Sequence, residues 1–420
     1  MTPPAPTHAP HRGLRVLELS RVLAGPWAAQ TLADLGASVI KVERPGSGDD
    51  TRAWGPPFVA RAQGGEDAAY FLSTNRGKRS VAIDFTQPRG QDLVRALAAR
   101  SDVLIENFKV GGLARYGLDV ESLRAAHPAL VYCSITGFGQ TGPYRDRPGY
   151  DLLIQAMGGL MSLTGDPEGA PTKVGVALTD IFAGLYAVVA IQAALAERER
   201  SGEGRHIDIS LFDVQAAVLA NQSLNYLVSG QAPERLGNRH PNIVPYQTFE
   251  ANDGHLVIAV GNDGQFQRFC EVLGAPELAQ DARFHSNPLR VTHRDALVAL
   301  LEPRLRERSR AQWLAALETA GVPSGPIQDL EELFRDPQLV ARGLQIETRG
   351  EDILPGVASP IRFDADALAS EREAPRLSQH TEEVLAEELG LPGEEIAQLR
   401  EAGVIQGSRI SPGSRPGGSR

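Results

Sequence analysis

The feature that most constrains this chain is the alternation of two hydrophobic patterns through its first half. Short apolar runs suited to buried strands (Leu14 to Leu19, Ser38 to Val42, Ser80 to Phe85, Val103 to Glu106, Leu130 to Ile135) are interleaved with helical stretches, Pro26 to Leu35 and Pro88 to Arg100. A continuous apolar run has no polar face, so such a strand must be covered on both sides. Strands separated by helices therefore predict a parallel sheet between helical layers. A helix over Leu152 to Leu163, another from Asp180 to about Glu199, a strand from His206 to Leu211 and a helix from Asp213 to Leu227 continue the series.

The texture then changes. Tyr246 to Glu250 and His255 to Val260 flank Asn252-Asp253-Gly254, a hairpin turn signal. Helical patterns follow at Gly264 to Leu273, Arg294 to Arg306 and Ser309 to Ala320, with closing helices at Thr381 to Leu389 and Glu394 to Ala402. The expected division is an α/β large domain over 13–225, a smaller α+β domain over 226–330, and a segment over 331–404 returning to the large domain. The Pro- and His-rich residues 1–12 and the Gly-, Ser-, Pro- and Arg-rich residues 406–420 are expected to be disordered.

A net charge of -10 excludes a global basic field, so no nucleic-acid partner is expected. A polyanionic ligand would need a local cluster, for which Arg76-Gly77-Lys78-Arg79 is one candidate. Cys133 and Cys270 are the only cysteines, too few for a disulfide framework or a zinc site, which favours a cytoplasmic protein. The longest apolar stretch, Ile181 to Leu195, falls short of the ~20 residues that span a bilayer, so no membrane partner is expected. The first strand–helix turn, Leu23-Ala24-Gly25-Pro26, holds one glycine and no G-x-G-x-x-G, which argues against a dinucleotide-dependent dehydrogenase.

Asp180 closes the run Thr172-Lys173-Val174-Gly175-Val176-Ala177-Leu178-Thr179-Asp180, just before an apolar helix. On its own it reads as a helix cap. Its wider context changes that reading. Arg21-Val22-Leu23-Ala24-Gly25-Pro26, Leu35 to Pro45, Asn75-Arg76-Gly77-Lys78-Arg79-Ser80, Ile105-Glu106-Asn107-Phe108, Gly137-Phe138-Gly139-Gln140-Thr141-Gly142-Pro143 and the Asp180 run occur in that order. This set resembles the family III CoA-transferases, from about Gly13 to about Val404, and is most like the succinyl-CoA:glutarate branch through Asp49 to Phe58 and Ile243 to Gln247.

The resemblance implies a Rossmann-like large domain, a smaller inserted domain and an interlocked homodimer. It implies a transfer of CoA from an acyl-CoA donor, succinyl-CoA, to a carboxylic acid acceptor such as glutarate. CoA thioesters act as substrates, and no tightly bound cofactor or metal is implied. Asp180 matches the catalytic aspartate, which carries aspartyl anhydride and aspartyl-CoA thioester intermediates. Its reference pKa of ~3.9 would make it an anion at neutral pH. Leu23, Ala24, Arg44, Ile83, Asn107, Phe108 and Arg115 match CoA contacts, and Tyr150 and Asp151 complete the cofactor-binding set. Asp151 could instead cap the helix that follows it. The racemase branch carries a histidine base where this chain has Tyr150, so an acyl-CoA racemase or epimerase is the disfavoured alternative, beside a non-catalytic CoA-binding protein. Thr86 and Pro148 stand where the formyl-CoA enzyme has lysines, with Arg145 or Arg147 as compensating charges. Arg52, Arg239 and His240 are candidates for a distal carboxylate on charge complementarity alone.

Overall fold

A computed structural model describes residues 9–364 and 366–407. The chain divides into two compact units, one comprising residues up to Leu160, Val174–Leu224 and Val340 onward, the other Met161–Lys173 and Asn225–Leu339. Met161–Lys173, expected within the large domain, thus clusters with the second unit, and the second unit runs on to Leu339.

The first unit is built on a seven-stranded sheet. Its strands are β1 (Arg15–Glu18), β2 (Ser38–Glu43), β3 (Lys78–Ile83), β4 (Val103–Glu106), β5 (Val131–Thr136), β6 (His206–Ser210) and β7 (Ile405–Gln406), in the spatial order β7-β3-β2-β1-β4-β5-β6. All pairs are parallel except β7 on β3. The order 3-2-1-4-5-6 is that of the doubly wound nucleotide-binding folds. β7 corrects the expectation of disorder from residue 406: Ile405 and Gln406 pair with Ile83 and Ala82. Residues 408–420 lie outside the described residues. Of the N-terminal dozen, Ala9 is buried and His11 donates its amide to Leu35, so the described part of that segment is held against the sheet unit. Residues 1–8 lie outside the described set.

Successive residues of a strand point to opposite faces. Val16, Val39, Val103, Ile105 and Ile135 pack on one face with α1 (Ala24–Asp34) and the long helix Leu178–Ser201. Leu17, Ile40, Val42, Val81 and Leu104 pack on the other with Pro88–Ala98, Thr381–Leu389 and Gly393–Glu401. Leu178–Ser201 has the length and hydropathy to cross a bilayer, more than the expectation allowed, yet its Ala183, Ala187, Ile191 and Ala194 are buried against this sheet.

Two expected helices are broken. Leu152 to Leu163 divides into Asp151–Met157 and Leu160–Leu163 around Gly158-Gly159, where a Cβ on Gly158 would sit 2.3 Å from the Gln215 side chain. Asp213 to Leu227 divides into Leu211–Val218 and Asn221–Ser229 at Ala220, whose φ of 46° no α-helix accommodates.

In the second unit, Tyr246–Ala251 and Gly254–Ala259 form the expected hairpin, and Ser324–Pro326 adds a third antiparallel strand. Its core gathers Phe249, Phe266, Phe269, Phe284 and Trp313. The fully buried Arg290 is tied to Val244 O, Phe284 O and Asp263.

Candidate active site

A cavity of about 550 Å³ opens at the carboxyl ends of the sheet. It is lined by the segments that leave β1 (Leu19 to Ala24), β2 (Arg44, Gly48 to Asp50), β3 (Asp84 to Thr86), β4 (Asn107 to Val110) and β5 (Gly137). This is the crevice where open α/β sheets bind ligands, at the point where strand order reverses between β1 and β4.

The loop after β1 is held under strain. Val22, a β-branched residue, has φ 71°, a left-handed conformation that costs of order 1–3 kcal/mol. Asn107 clamps the neighbouring backbone, accepting from Arg21 N at 2.9 Å and donating to Arg21 O at 2.6 Å. Val22 N donates to Asp49 Oδ1 at 3.3 Å. Asn107, expected as a CoA contact, therefore uses its amide to shape the cavity wall. Phe108 stands beside it, edge-on to Phe85, with the Arg21 guanidinium 5.8 Å from its ring.

Below this loop lies a layer of buried charge. Lys41 bridges Glu18 (2.9 Å) and Asp49 (3.0 Å), and Lys78 reaches the other Glu18 oxygen at 2.7 Å. Arg52 grips both oxygens of Glu43 (2.8 and 2.7 Å) and bonds Asp67 at 2.9 Å. That pairing corrects the reading of Arg52 as a carboxylate receptor: it is buried and already neutralised. Lys78, from the basic run proposed for a polyanion, is likewise sealed inside the fold, and Arg76 is paired bidentately with Asp34. Arg239 pairs with Asp295 in the second unit, where His240 also lies.

Of the residues singled out in the sequence, Leu23, Ala24, Arg44, Ile83, Asn107, Phe108, Arg115, Tyr150 and Asp180 all line the one cavity. Arg44 and Arg115 are exposed there, the first bonded to Ser47 and the second stacked on Tyr116. Arg21, Lys109, Arg145 and Arg147 add further positive charge, so a chain of net negative charge carries a local cationic rim. Thr86 and Pro148 line the cavity too.

Asp151 does not line the cavity; it acts from behind. Its Oδ1 accepts Thr179 N at 2.9 Å and Asp180 N at 3.4 Å, 28 and 29 residues further along, capping the helix that carries Asp180. Sequence reading missed this because the cap comes from another helix; the residue at the helix's own N-cap position, Ala177, has none to offer. The segment reaches this place because Gly137 and Gly149 cross in direct contact, each leaving no room for a Cβ on the other (2.6 and 2.4 Å).

Asp180 is the third residue of its helix. With the cap supplied by Asp151, its own carboxylate has no hydrogen-bond or ion-pair partner among the described residues. Burial and, next, the charge of Asp151 raise its pKa to about 7. That corrects the expectation of a fully ionised group at neutral pH. Tyr70, also missed, faces the same carboxylates: burial and the charges of Asp180, Asp151 and Asp49 keep it a neutral phenol. It packs edge-on to Trp54, a cavity residue. Among the described residues no histidine lines the cavity, and no cluster of acidic, His or Cys side chains could hold a metal ion.

Fold and site together define an α/β protein of the doubly wound class, with a cationic cavity and a lone, desolvated carboxylate at the ends of its strands. The family model described as CoA-transferase family III matches residues 12–381. The succinate–glutarate CoA-transferase of Agrobacterium fabrum is 56% identical over 381 residues, covering 90% of this chain and 95% of that protein. The succinyl-CoA:glutarate CoA-transferase of Mus musculus is 45% identical over 401 residues, 94% of this chain and 90% of that protein. A crystal structure of a CAIB/BAIF family protein from Brucella suis matches with a TM-score of 0.81 and 55% identity, over 91% of this chain and all of that one. The chain belongs to CoA-transferase family III. As a CoA-transferase it takes an acyl-CoA and a carboxylic acid as its substrates.

Proposed function

We propose that the chain moves CoA from succinyl-CoA to a dicarboxylic acid such as glutarate, with Asp180 as the covalent carrier. The observation that carries this reading is the Asp180 carboxylate itself, unpartnered and poorly solvated on the wall of the cavity. A carboxylate spends most of its nucleophilicity on hydrogen bonds, and this one has none from the protein to break.

The sequence of bonds balances without oxidant or proton donor. An Asp180 oxygen attacks the thioester carbonyl, forming a mixed anhydride and expelling CoA thiolate. The thiolate attacks the aspartyl carbonyl, leaving CoA on Asp180 as a thioester and releasing the donor acid as its carboxylate. The acceptor carboxylate then attacks the aspartyl thioester, giving a second anhydride and free thiolate. Attack of that thiolate on the acceptor's acyl carbon yields the new acyl-CoA and restores Asp180. Both anhydrides are lost if water reaches them, so positioning and exclusion of solvent carry much of the rate.

The cationic rim suits the phosphates of CoA, and the slot beside Phe108 and Ile83 suits an apolar or aromatic ring. The succinate–glutarate pairing rests on the names of the two relatives above. Racemisation would need a second base across from Asp180; Tyr150 is 67% exposed, and among the described residues no histidine lines the cavity to supply one. The helices that carry Asp151 and Asp180 leave Leu152, Leu153, Leu185, Tyr186 and Val189 in water, which supports burial against a second copy of the chain as a homodimer.

Incubation with succinyl-CoA and a panel of acids, read by mass spectrometry, tests the function. Glutaryl-CoA should form with the wild type and not with Asp180→Ala. Turnover by that variant at the wild-type rate overturns the mechanism, and a preference for monocarboxylic acceptors overturns the substrate class. Light scattering should give twice the chain mass; a monomer that turns over removes the dimer.

A further inference from the structure

Gln155 is fully buried, lies outside the cavity lining and has no part in the chemistry above. A buried amide costs stability unless every polar end is bonded, so its presence calls for a reason. Its contacts supply one. Nε2 donates to Asp151 Oδ2 at 2.6 Å and to Val176 O at 3.3 Å, while Oε1 accepts from Val174 N at 3.0 Å. One side chain thus fixes two things: the rotamer of Asp151, four residues earlier on the same helix face, and the extended segment that leads into the Asp180 helix.

The fixed Asp151 then uses its other oxygen on Thr179 N and Asp180 N. A second anchor comes from Thr179, whose hydroxyl donates to Oε1 of the fully buried Gln215 at 2.6 Å. The backbone on the amino side of Asp180 is therefore gripped at Val174, Val176, Thr179 and Asp180 itself, while the Asp180 carboxylate is left untouched. A local serine cap could satisfy the same helix end. It would not bring a second carboxylate beside Asp180, nor couple the helix to Asp151–Met157.

We propose that Gln155 and Asp151 act as a positioning bracket for Asp180: Gln155 locks Asp151, and Asp151 both sets the height of Asp180 in the cavity and holds a negative charge beside it. The inference rests on Asp180 being the covalent carrier. The charged and titratable groups that face Asp180 are Asp151 from the separate helix Asp151–Met157 and Tyr70 from Ala69–Leu72; Arg145 and Arg147 line the same cavity. A misplacement of about 1 Å at a reacting group costs about a hundredfold in rate, so loosening the bracket should act on kcat.

The test uses the full-length protein with Asp180→Asn, Asp151→Asn and the near-isosteric Gln155→Leu. Gln155→Leu is expected to lower kcat about tenfold to a hundredfold, with KM for donor and acceptor within about twofold of wild type. Asp151→Asn keeps an oxygen for the two N–H groups but drops the charge, so the acid limb of kcat against pH should move to lower pH. A wild-type kcat in Gln155→Leu, or a loss confined to KM, overturns the bracket. If Gln155→Leu does not fold, Asp151→Asn decides alone: a pH profile superimposable on wild type overturns the proposal. Activity in Asp180→Asn would sink the carrier reading; an inactive Asp180→Asn beside an unaffected Gln155→Leu would sink only the bracket.

Discussion

Two kinds of acid line the cavity at the same end of the sheet and behave in opposite ways. Glu43 and Asp49 lie beneath the strained loop after β1; burial alone would raise both, but Arg52 holds Glu43 below the ordinary carboxylate range and Lys41 brings Asp49 to about 2. Asp180 lines the same cavity, and there burial is reinforced by Asp151, raising it to about 7. The first group is fixed, ionised and structural. The second is unpaired and basic. The same physics of desolvation gives scaffold in one place and reactivity in the other, and the difference is whether a cation was placed beside the carboxylate.

The largest effect should come from removing the unpaired member. Asp180→Ala should cost at least about 10⁴-fold in kcat, since the covalent route is lost with the carboxylate. Breaking the paired side should instead cost stability. Lys41→Met leaves Glu18 and Asp49 without their shared cation, and should destabilise the fold by about 3–5 kcal/mol in chemical denaturation. Arg52→Lys belongs to the same group: it should lower stability while leaving KM for glutarate unchanged, because Arg52 has no charge left for a substrate.

Smaller effects follow from protonation. Asp180 must be ionised to attack, so kcat should fall below pH ~7, approaching tenfold per unit. Its stability effect has the opposite sense to that of Asp49. A carboxyl whose pKa is raised by folding binds its proton better in the folded state, so stability falls as pH rises from the ordinary carboxylate range to about 7. Asp180→Asn should therefore melt above the wild type at pH 8, by less at pH 5, and with it only at or below about pH 4, in scanning calorimetry. Asp49, depressed to about 2, contributes stability at neutral pH that is lost as the medium is acidified toward that value.

The scaffold half of this comparison was the easier to read from sequence. Val103–Glu106 and its parallel neighbours announce themselves as apolar runs, and a doubly wound sheet follows from their alternation with helices. β7 gave no such signal, since two residues at a sheet edge carry no period. The breaks at Gly158-Gly159 and Ala220 reflect close approach and backbone conformation rather than propensity. At the site, the ordered motifs placed nine residues on one cavity because loops after parallel strands converge at the carboxyl edge. Pairing was not legible: nothing in the run Asp49 to Arg52 tells a buried Arg52 from a free one, and the contact of Asp151 with Asp180 spans two helices. The reading of Asp180 as its own helix cap failed for that reason.

The most direct test is the mass of the Asp180 peptide after wild-type protein is mixed with succinyl-CoA and quenched in acid. The account predicts a peptide heavier by CoA less one water, or its hydroxamate when hydroxylamine is present, and no such species in Asp180→Asn. An unmodified Asp180 peptide under conditions where glutaryl-CoA accumulates would contradict it.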